Sequence, residues 1–221
     1  FILTDLFYYL NRKYHFTTKE VMKMDNNQLY LLNLHKQTDK DIESLRTYAE
    51  ENQVPIVDKL TLEMIKQIIR LHKPINILEI GTAIGYSAMQ FASISEKINV
   101  TTIERNVEMQ DKAKENIELF QYYNQIRLIE GDALEQVENV DDRSYDMIFI
   151  DAAKAQSKKF FELYTPLLKV GGIVVTDNVL YHGFVSDISV VRNRNVRQMV
   201  KKVQDYNEWL MNHTDYTTNF L

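Results

Sequence analysis

The spacing of apolar and polar residues predicts an ordered series of helices and strands from about residue 39 to residue 211. Residues 39–51, DKDIESLRTYAEE, repeat with helical periodicity, and Asp39 is a candidate N-cap. A second helical pattern lies between Pro55 and Pro74, which suits a proline near a helix start and another just past its end. Two helices are therefore expected before the first strand.

After Pro74 the pattern changes to short apolar runs separated by helical segments. The predicted strands are INILEIG, INVTTIE, QIRLIEGD, YDMIFIDAA and IVVTDNV. The predicted helices between and after them cover 85–95, 106–121, the segment KKFFELYTPLLK and 190–211. This alternation predicts a doubly wound, Rossmann-like α/β sheet with N-terminal helices, in which ligands bind at the carboxyl ends of the strands.

Composition narrows the class of protein without identifying it. The 221 residues fit a single domain. The absence of cysteine excludes disulfides, thiolate metal sites and a cysteine nucleophile, in keeping with a cytoplasmic protein. The net charge of −5 argues against a wholly basic nucleic-acid coat but leaves room for a local basic patch.

The N-terminal stretch FILTDLFYYLNRKYHF is aromatic but too short and too often interrupted by polar residues to span a bilayer, so no membrane partner is expected. It also lacks the basic-then-apolar order of a signal peptide. Residues 1–23 are interpreted either as an over-extended start, with the working protein beginning near Met24, or as an extra N-terminal helix. Residues 24–221 are expected to form one domain.

The loop after the first strand, EIGTAIGYS, is the first candidate binding element. Its small residues would let a ligand approach the backbone near Gly81. A dinucleotide fingerprint starting there would need glycines two and five residues later, where the chain has Ala83 and Tyr86. The pyrophosphate-binding turn is therefore absent, and a plain structural turn is the alternative interpretation.

Acidic residues follow the second and third strands. Glu104 could accept hydrogen bonds from both hydroxyls of a ribose and would repel a 2′-phosphate; alternatively it is a solvated acid at a helix start. Asp132 could accept from an adenine amine, or it could cap a helix that begins at Ala133. Ribose and adenine recognition without a pyrophosphate turn indicates an adenosyl ligand with a small tail, namely S-adenosylmethionine.

Oxygen donors follow the fourth and fifth strands, whose ends are expected to be neighbours. Asp151, Asp177 and Asn178 together would suit Mg²⁺, Mn²⁺ or Ca²⁺, although lone acids at strand ends are also common structural features. Lys154 follows Asp151 by three residues and could act as a general base beside the cation. The alternative for Lys154 is a surface lysine on the first turn of a helix.

The segments ILEIGTAIGYSA, TIERN, GDALE, YDMIFIDAAK and GGIVVTDNVL together resemble the cation-dependent O-methyltransferases, the family that contains the catechol and caffeoyl-coenzyme A enzymes. The resemblance covers about residues 39–213. It implies a metal site and a catalytic lysine, formed by Asp151, Asp177, Asn178 and Lys154. It also implies a cofactor site at the strand ends, formed by Val57, Glu79, Gly81, Ser87, Glu104, Asp132, Ala133 and Asp151. Related proteins suggest a homodimer.

Two further segments, LRTYAEENQVPI and YNEWLMNH, resemble the bacterial tRNA 5-hydroxyuridine methyltransferases, which form 5-methoxyuridine at the wobble position. That resemblance implies the anticodon loop of tRNA as substrate. A basic group near the start of the last helix could bind its phosphates, or could be an ordinary solvated face; it comprises Arg192, Arg194, Arg197, Lys201 and Lys202. Aromatic residues after the fifth strand could stack on a substrate ring or pack within their loop: Tyr181, His182 and Phe184.

Three other functions are weighed against this one. A methyltransferase of small catechol-like phenols would use the same site. A nicotinamide-dependent oxidoreductase conflicts with Ala83 and Tyr86, and a non-catalytic RNA-binding module conflicts with the metal residues and Lys154. Related chains continue past a segment like YTTNFL into a last strand, so a missing tail or a lost edge strand is expected after Leu221.

Overall fold

Helices and strands alternate as the sequence predicts. A computed structural model of the chain describes Tyr30, Leu34 and residues 40–140 and 144–220, so Asp39 and the segment 1–23 lie outside the described residues. The strands are β1 Asn76–Ile80, β2 Asn99–Glu104, β3 Ile126–Glu130, β4 Tyr145–Ile150 and β5 Leu168–Thr176. The α-helices are α1 Lys40–Glu51, α2 Lys59–His72, α3 Tyr86–Ala92, α4 Val107–Leu119, α5 Ser157–Tyr164 and α6 Arg194–Met211.

The strands form one parallel sheet in the order β3-β2-β1-β4-β5. The chain first winds outwards from β1 to β3 and then returns to the other side of β1 with β4 and β5. The carboxyl ends of β1 and β4 therefore flank the point at which the winding reverses, which is where doubly wound sheets bind their ligands. The predicted fold class is confirmed.

Alternate residues of the central strands supply two separate cores, because successive side chains of a strand point to opposite faces of the sheet. The face covered by α1, α2, α3 and α4 includes Ile77, Met147 and Phe149. The face covered by α5 and α6 includes Leu78, Ile148 and Ile150. Glu79 follows Leu78 on β1 and is wholly buried. A carboxyl group inside a doubly covered sheet is costly to bury and requires a local explanation.

Several predicted boundaries are wrong for identifiable reasons. α2 does not begin beside Pro55; its N-cap is Asp58, whose carboxylate accepts from the backbone N–H groups of Leu60 and Thr61. No helix begins at Ala133, because Asp132 instead caps a turn by accepting from the N–H of Leu134 at 2.9 Å. The glycine pair at 171–172 does not separate a helix from a strand. It lies inside β5, where the pairing with β4 shifts register.

The last helix, α6, is amphipathic. Its buried residues recur at helical spacing and are Val200, Val203, Tyr206 and Leu210, while Asn193 caps its N-terminus through two backbone N–H groups. α6 is the longest helix in the described part of the chain at 18 residues. Neither it nor any other described helix has the combination of length and apolar character that a membrane crossing requires.

Candidate active site

The strand ends form a continuous row along one edge of the sheet. The first residue beyond each of four strands donates its backbone N–H to the neighbouring strand at 2.8–3.1 Å: Gly131 to Glu104, Gly81 to Ile103, Asp151 to Ile80 and Asp177 to Ile150. The side chains that follow these strands are thereby fixed relative to one another. The predicted residues Gly81, Asp151 and Asp177 are neighbours in this row.

Gly81 has a structural role that the sequence did not reveal. Its φ is +104°, and a Cβ atom at this position would lie 2.3 Å from the carbonyl oxygen of Asp151. Only glycine fits this conformation and this close approach. The group that comes nearest to the Gly81 backbone is therefore the backbone of Asp151, at the reversal point of the sheet.

Glu79 is held by hydroxyl groups beneath the loop that begins at Gly81. Ser87 Oγ donates to Glu79 Oε1 and Thr102 Oγ1 donates to Glu79 Oε2, each at 2.5 Å. The pKa of Glu79 is raised to about 8, mainly by burial; the two hydroxyl groups oppose the rise, and nearby Asp151 and Glu104 contribute to it. Glu79 and Ser87, both predicted to belong to the cofactor site, thus form one buried hydrogen-bonded pair.

The acids after β2 and β3 lie along the same edge. Glu104 accepts from the backbone N–H of Ala83 at 2.9 Å and from that of Asn106 at 2.8 Å, which ties the end of β2 to the loop after β1. Beside the capped turn at Asp132, the carbonyl of Ala133 accepts from the hydroxyl of Tyr164 at 2.7 Å. The carboxylates of Glu104 and Asp132, predicted to bind ribose and adenine, are therefore both held by backbone N–H groups.

Asp151 and Asp177 come together at the ends of β4 and β5. Lys154 Nζ donates to Asp151 Oδ1 at 2.7 Å, and both side chains are about one-fifth exposed, at 18% and 21%. The pKa of Asp177 is raised to about 6, mainly by burial and also by the charge of Asp151, whereas Lys154 opposes the rise. Asn178 donates to Asp177 from its backbone N–H at 2.6 Å and from its side-chain amide at 2.8 Å.

The donor set at this position is small. Among the residues that the structure describes, no group of three or more His, Cys, Asp or Glu side chains could hold a metal ion. The predicted set has only two carboxylates, and its third member, Asn178, supplies an amide oxygen. Two acids that repel each other and one amide oxygen have the chemistry that a hard divalent cation favours.

The segment before α2 borders the same edge. Val57 is buried, with 2% of its surface exposed, and its carbonyl accepts from Arg46 at 3.2 Å. The negative charge of the next residue, Asp58, contributes to the raised pKa of Asp177. Val57, which was predicted to contact the cofactor, therefore lies next to Asp58, whose charge acts on Asp177 of the predicted metal site.

The loop after β5 is attached to α6. Tyr206 and Thr176 share a hydrogen bond at 3.0 Å, and Asn207 and Gln204 donate to the carbonyls of Val179 and Val185, each at 2.8 Å. This loop contains the aromatic residues that were predicted to stack on a substrate. The rings of Tyr181 and Phe184 lie 6.5 Å apart, and the side chain of His182 lies outside the described residues.

The five predicted basic residues are exposed at the N-terminal part of α6 and just before it. Arg197 already donates from Nε and Nη2 to the carbonyl of Val191, at 3.2 and 2.7 Å. The other four are Arg192, Arg194, Lys201 and Lys202. Because α6 is hydrogen-bonded to the loop after β5, the position of these basic residues is linked to that of the loop.

The sequence did not indicate Arg46, Tyr86 or Asn207. Arg46 contacts Val57 and Tyr86, which are 11 and 40 residues away, and Asn207 contacts Val179 over 28 residues. The only local signal was the spacing of Glu43 and Arg46, which form an i,i+3 pair at 2.9 Å.

The strand order, the glycine turn at its reversal point and the acids along its carboxyl edge define a Rossmann-like fold of the methyltransferase type, which solved methyltransferase structures share. Residues 22–215 match the family model described as O-methyltransferase. The chain therefore belongs to the O-methyltransferase family.

Individual relatives agree with this assignment. A Staphylococcus aureus structure, provisionally named a caffeoyl-CoA O-methyltransferase, is 68% identical, covers 89% of this chain and 94% of its own, and has a TM-score of 0.86. The O-methyltransferase TomG of Streptomyces achromogenes, solved with S-adenosylmethionine, is 25% identical over 86% of this chain and 85% of its own, with a TM-score of 0.73. The O-methyltransferase ankF of Aspergillus thermomutatus is 28% identical over 62% of each chain, so this chain spans less than two thirds of that relative's length.

Proposed function

We propose that this protein is a divalent-cation-dependent O-methyltransferase that takes its methyl group from S-adenosylmethionine, and that its substrate is 5-hydroxyuridine at the wobble position of tRNA. One observation carries the proposal. Asp151 stands at the reversal point of the sheet, with the backbone of Gly81 on one side and Lys154 and Asp177 on the other. A methyl donor and an acceptor oxygen could therefore meet at Asp151.

The cofactor half of the proposal rests on chemistry along the carboxyl edge. Glu104 is a carboxylate at the end of β2, where dinucleotide-binding folds use an acid to hold the ribose hydroxyls. Glu79 is a second, buried acid, and its hydrogen bonds with Ser87 and Thr102 would support the cofactor site from beneath the loop after β1. The family relative TomG was solved with S-adenosylmethionine.

Asp151, Asp177 and Asn178 would hold the cation. The charge of Asp151 contributes to the raised pKa of Asp177, and a divalent cation between the two carboxylates would remove that repulsion. When bound, such an ion acts as a Lewis acid that lowers the pKa of a coordinated hydroxyl. The chain's own contribution is to hold two acids and an amide oxygen at the ends of neighbouring strands.

Lys154 would act as the proton acceptor. Its Nζ is held 2.7 Å from Asp151, so the neutral amine that would accept the proton stays beside the acidic pair and does not extend into solvent. A substrate hydroxyl at the acidic pair would lie within reach of Nζ, as general-base catalysis requires. In-line attack on a sulfonium methyl group then depends mainly on how both partners are oriented.

The tRNA half of the proposal rests on the basic residues at α6. Arg192, Arg194 and Arg197 lie at or just before the first turn of α6, where positive charge opposes the helix dipole and carries an electrostatic cost unless an anion binds. Nucleic-acid phosphates are such anions. A 5-hydroxyuracil presents adjacent 5-hydroxyl and 4-oxo oxygens, which match the chelating geometry of a catechol. The homodimer implied by the family resemblance remains a prediction.

A methyl-transfer assay tests the proposal. Purified protein with labelled S-adenosylmethionine and Mg²⁺ is offered tRNA that contains 5-hydroxyuridine and, in parallel, a simple catechol. We expect label in the tRNA as 5-methoxyuridine, and we expect EDTA to abolish it. Label in the catechol alone would keep the reaction but replace the substrate with small phenols. No label in either acceptor, with intact binding of RNA, would contradict the enzymatic proposal.

A further inference from the structure

Arg46 on α1 is the centre of a polar network that links separate parts of the chain. Its guanidinium donates to Glu43 Oε1 at 2.9 Å, to the carbonyl of Val57 at 3.2 Å and to the hydroxyl of Tyr86 at 2.9 Å. The guanidinium carbon also lies 4.9 Å from the centre of the Tyr86 ring. The side chain is only 15% exposed, so these contacts form in a largely desolvated environment.

The network is balanced in charge and continues across three helices. Tyr86 donates back to Glu43 at 3.1 Å, and burial raises the pKa of this tyrosine, which keeps its hydroxyl protonated as a donor. Gln90 on α3 donates to Glu43 and accepts from Lys66 on α2 at 3.1 Å. Lys66 is fully buried and paired with Glu63. Two cations and two anions thus join α1, α2 and α3.

The two partners of Arg46 outside α1 belong to two segments that border the proposed cofactor site. Val57 belongs to the segment before α2, and the next residue, Asp58, is close enough to influence the pKa of Asp177. Tyr86 opens α3 directly before Ser87, the residue that donates to buried Glu79. Apart from the packing of apolar residues, the described contacts between these two segments run through Arg46.

We propose that Arg46 is a positioning residue that sets the distance between the Val57 segment and the start of α3, and thereby the affinity for the adenosyl cofactor. This inference rests on the proposed cofactor. Arg46 acts through Val57 and Tyr86, so its contribution is geometric. A planar guanidinium can serve three partners in fixed directions at once, whereas an ammonium has no such fork. A lysine at position 46 would keep the positive charge but should not keep the cofactor affinity.

Binding of S-adenosylhomocysteine, measured by titration calorimetry on the full chain, tests the inference. We expect Arg46→Lys to weaken binding by about 10-fold or more, because fixed hydrogen bonds to a carbonyl and a hydroxyl are lost. Tyr86→Phe keeps the ring but removes the hydroxyl, and we expect a smaller loss of about 3-fold. In the ligand-free protein, amide hydrogen exchange should accelerate at residues 54–60 in Arg46→Lys.

Arg127→Lys is the matched control. Arg127 also donates to a backbone carbonyl, that of Asn139 at 3.1 Å, but on β3 and away from both partners of Arg46. We expect the control to bind the ligand like the wild type. If Arg46→Lys lowers the melting temperature but binds within about 2-fold of the wild type, Arg46 is only structural and the inference is overturned. If the wild type itself fails to bind, the proposed cofactor is wrong, which is a separate outcome.

Discussion

Gly81 and Asp151 approach each other so closely that a side chain on Gly81 would overlap the backbone of Asp151. The virtual Cβ of Gly81 lies 2.3 Å from the Asp151 carbonyl oxygen and 2.9 Å from its carbonyl carbon. Both contacts are with backbone atoms at the reversal point of the sheet, which cannot move without separating β1 from β4. This close contact fixes the backbone of Asp151 and therefore limits the positions that its carboxylate can reach.

Gly81→Ala should therefore be strongly destabilising, by about 3 kcal/mol or more, because backbone strain and steric overlap add. Gly171→Ala is the control: its φ is +81°, yet no atom lies within 4 Å of the virtual Cβ. Strain alone predicts a loss of about 1–2 kcal/mol there. Urea unfolding measures both values, and equal losses would mean that the close approach to Asp151 has no energetic weight.

Glu79 should make the stability of the ligand-free protein depend on pH. Its pKa is about 8 in the folded chain against a usual value of 4.5, so between these values the folded state holds a proton that the unfolded state has lost. The stabilisation is complete below pH 4.5 and is lost as the pH rises through 8. The slope attributable to Glu79 is at most about 1.4 kcal/mol per pH unit.

Urea unfolding at about pH 6 and about pH 8 measures this effect. We expect Glu79→Gln, which cannot ionise, to lose less stability over the interval than the wild type. Glu118→Gln, on the exposed side of α4, should retain the wild-type slope. A Glu79→Gln slope equal to that of the wild type would show that Glu79 is already ionised in the folded chain.

Asp151 and Gly81 show what the sequence could and could not reveal. Short apolar runs separated by helical segments predicted all five described strands, because a strand that is buried on both faces is apolar along its length. The order of those strands then brought Asp151 and Asp177 together without any need for side-chain detail. The role of Gly81 was missed, because its partner is a backbone atom seventy positions later in the chain.

Helix boundaries and long-range polar networks were harder to predict. Pro55 has a backbone suited to a helix start, but Asp58 can accept from two free N–H groups, and that gain decides where α2 begins. The Arg46 network had no sequence signal beyond two i,i+3 pairs, Glu43–Arg46 and Glu63–Lys66, since it joins helices that meet only after folding. Such contacts depend on tertiary packing and not on local pattern.

Asp177→Asn should separate activity from stability. The substitution removes the charge that Asp151 opposes, so the metal-free protein should be as stable as the wild type or more stable at neutral pH. Cation-dependent methyl transfer should fall by at least about 100-fold, because Lewis-acid stabilisation is worth several kcal/mol. Chemical unfolding and the transfer assay measure the two effects.

Asp205→Asn, on the exposed side of α6, is the control and should change neither quantity. Treatment of the wild type with excess EDTA should reproduce the loss of activity seen in Asp177→Asn. Full turnover in EDTA would exclude a catalytic cation at these strand ends.

The basic residues of α6 should determine how salt affects RNA binding. A combined variant in which Arg192, Arg194, Lys201 and Lys202 become serine should bind tRNA more weakly, with the slope of log affinity against log salt reduced by about 3. Affinity for S-adenosylhomocysteine should not change. Filter binding at several salt concentrations measures the slope, and calorimetry measures the cofactor.

Lys73→Asn combined with Lys97→Ser provides a control of the same charge sign. Both lysines are exposed at the opposite edge of the sheet, before β1 and β2, and should not contact the substrate. If this pair reduces the salt slope by as much per charge removed as the α6 variant does, RNA binding is diffuse and the α6 residues have no special role.

The hydrogen bonds between α6 and the loop after β5 have a consequence for divergence within the family. Gln204 and Asn207 bind carbonyl groups of the loop and not its side chains. Every amino acid supplies a carbonyl, so substitutions in the loop can alter which acceptor molecule fits while the attachment to α6 persists. New acceptor specificities could arise here by exchange of side chains in the loop while its hydrogen bonds to α6 persist. The strand ends that hold Asp151 and Asp177 would not need to change.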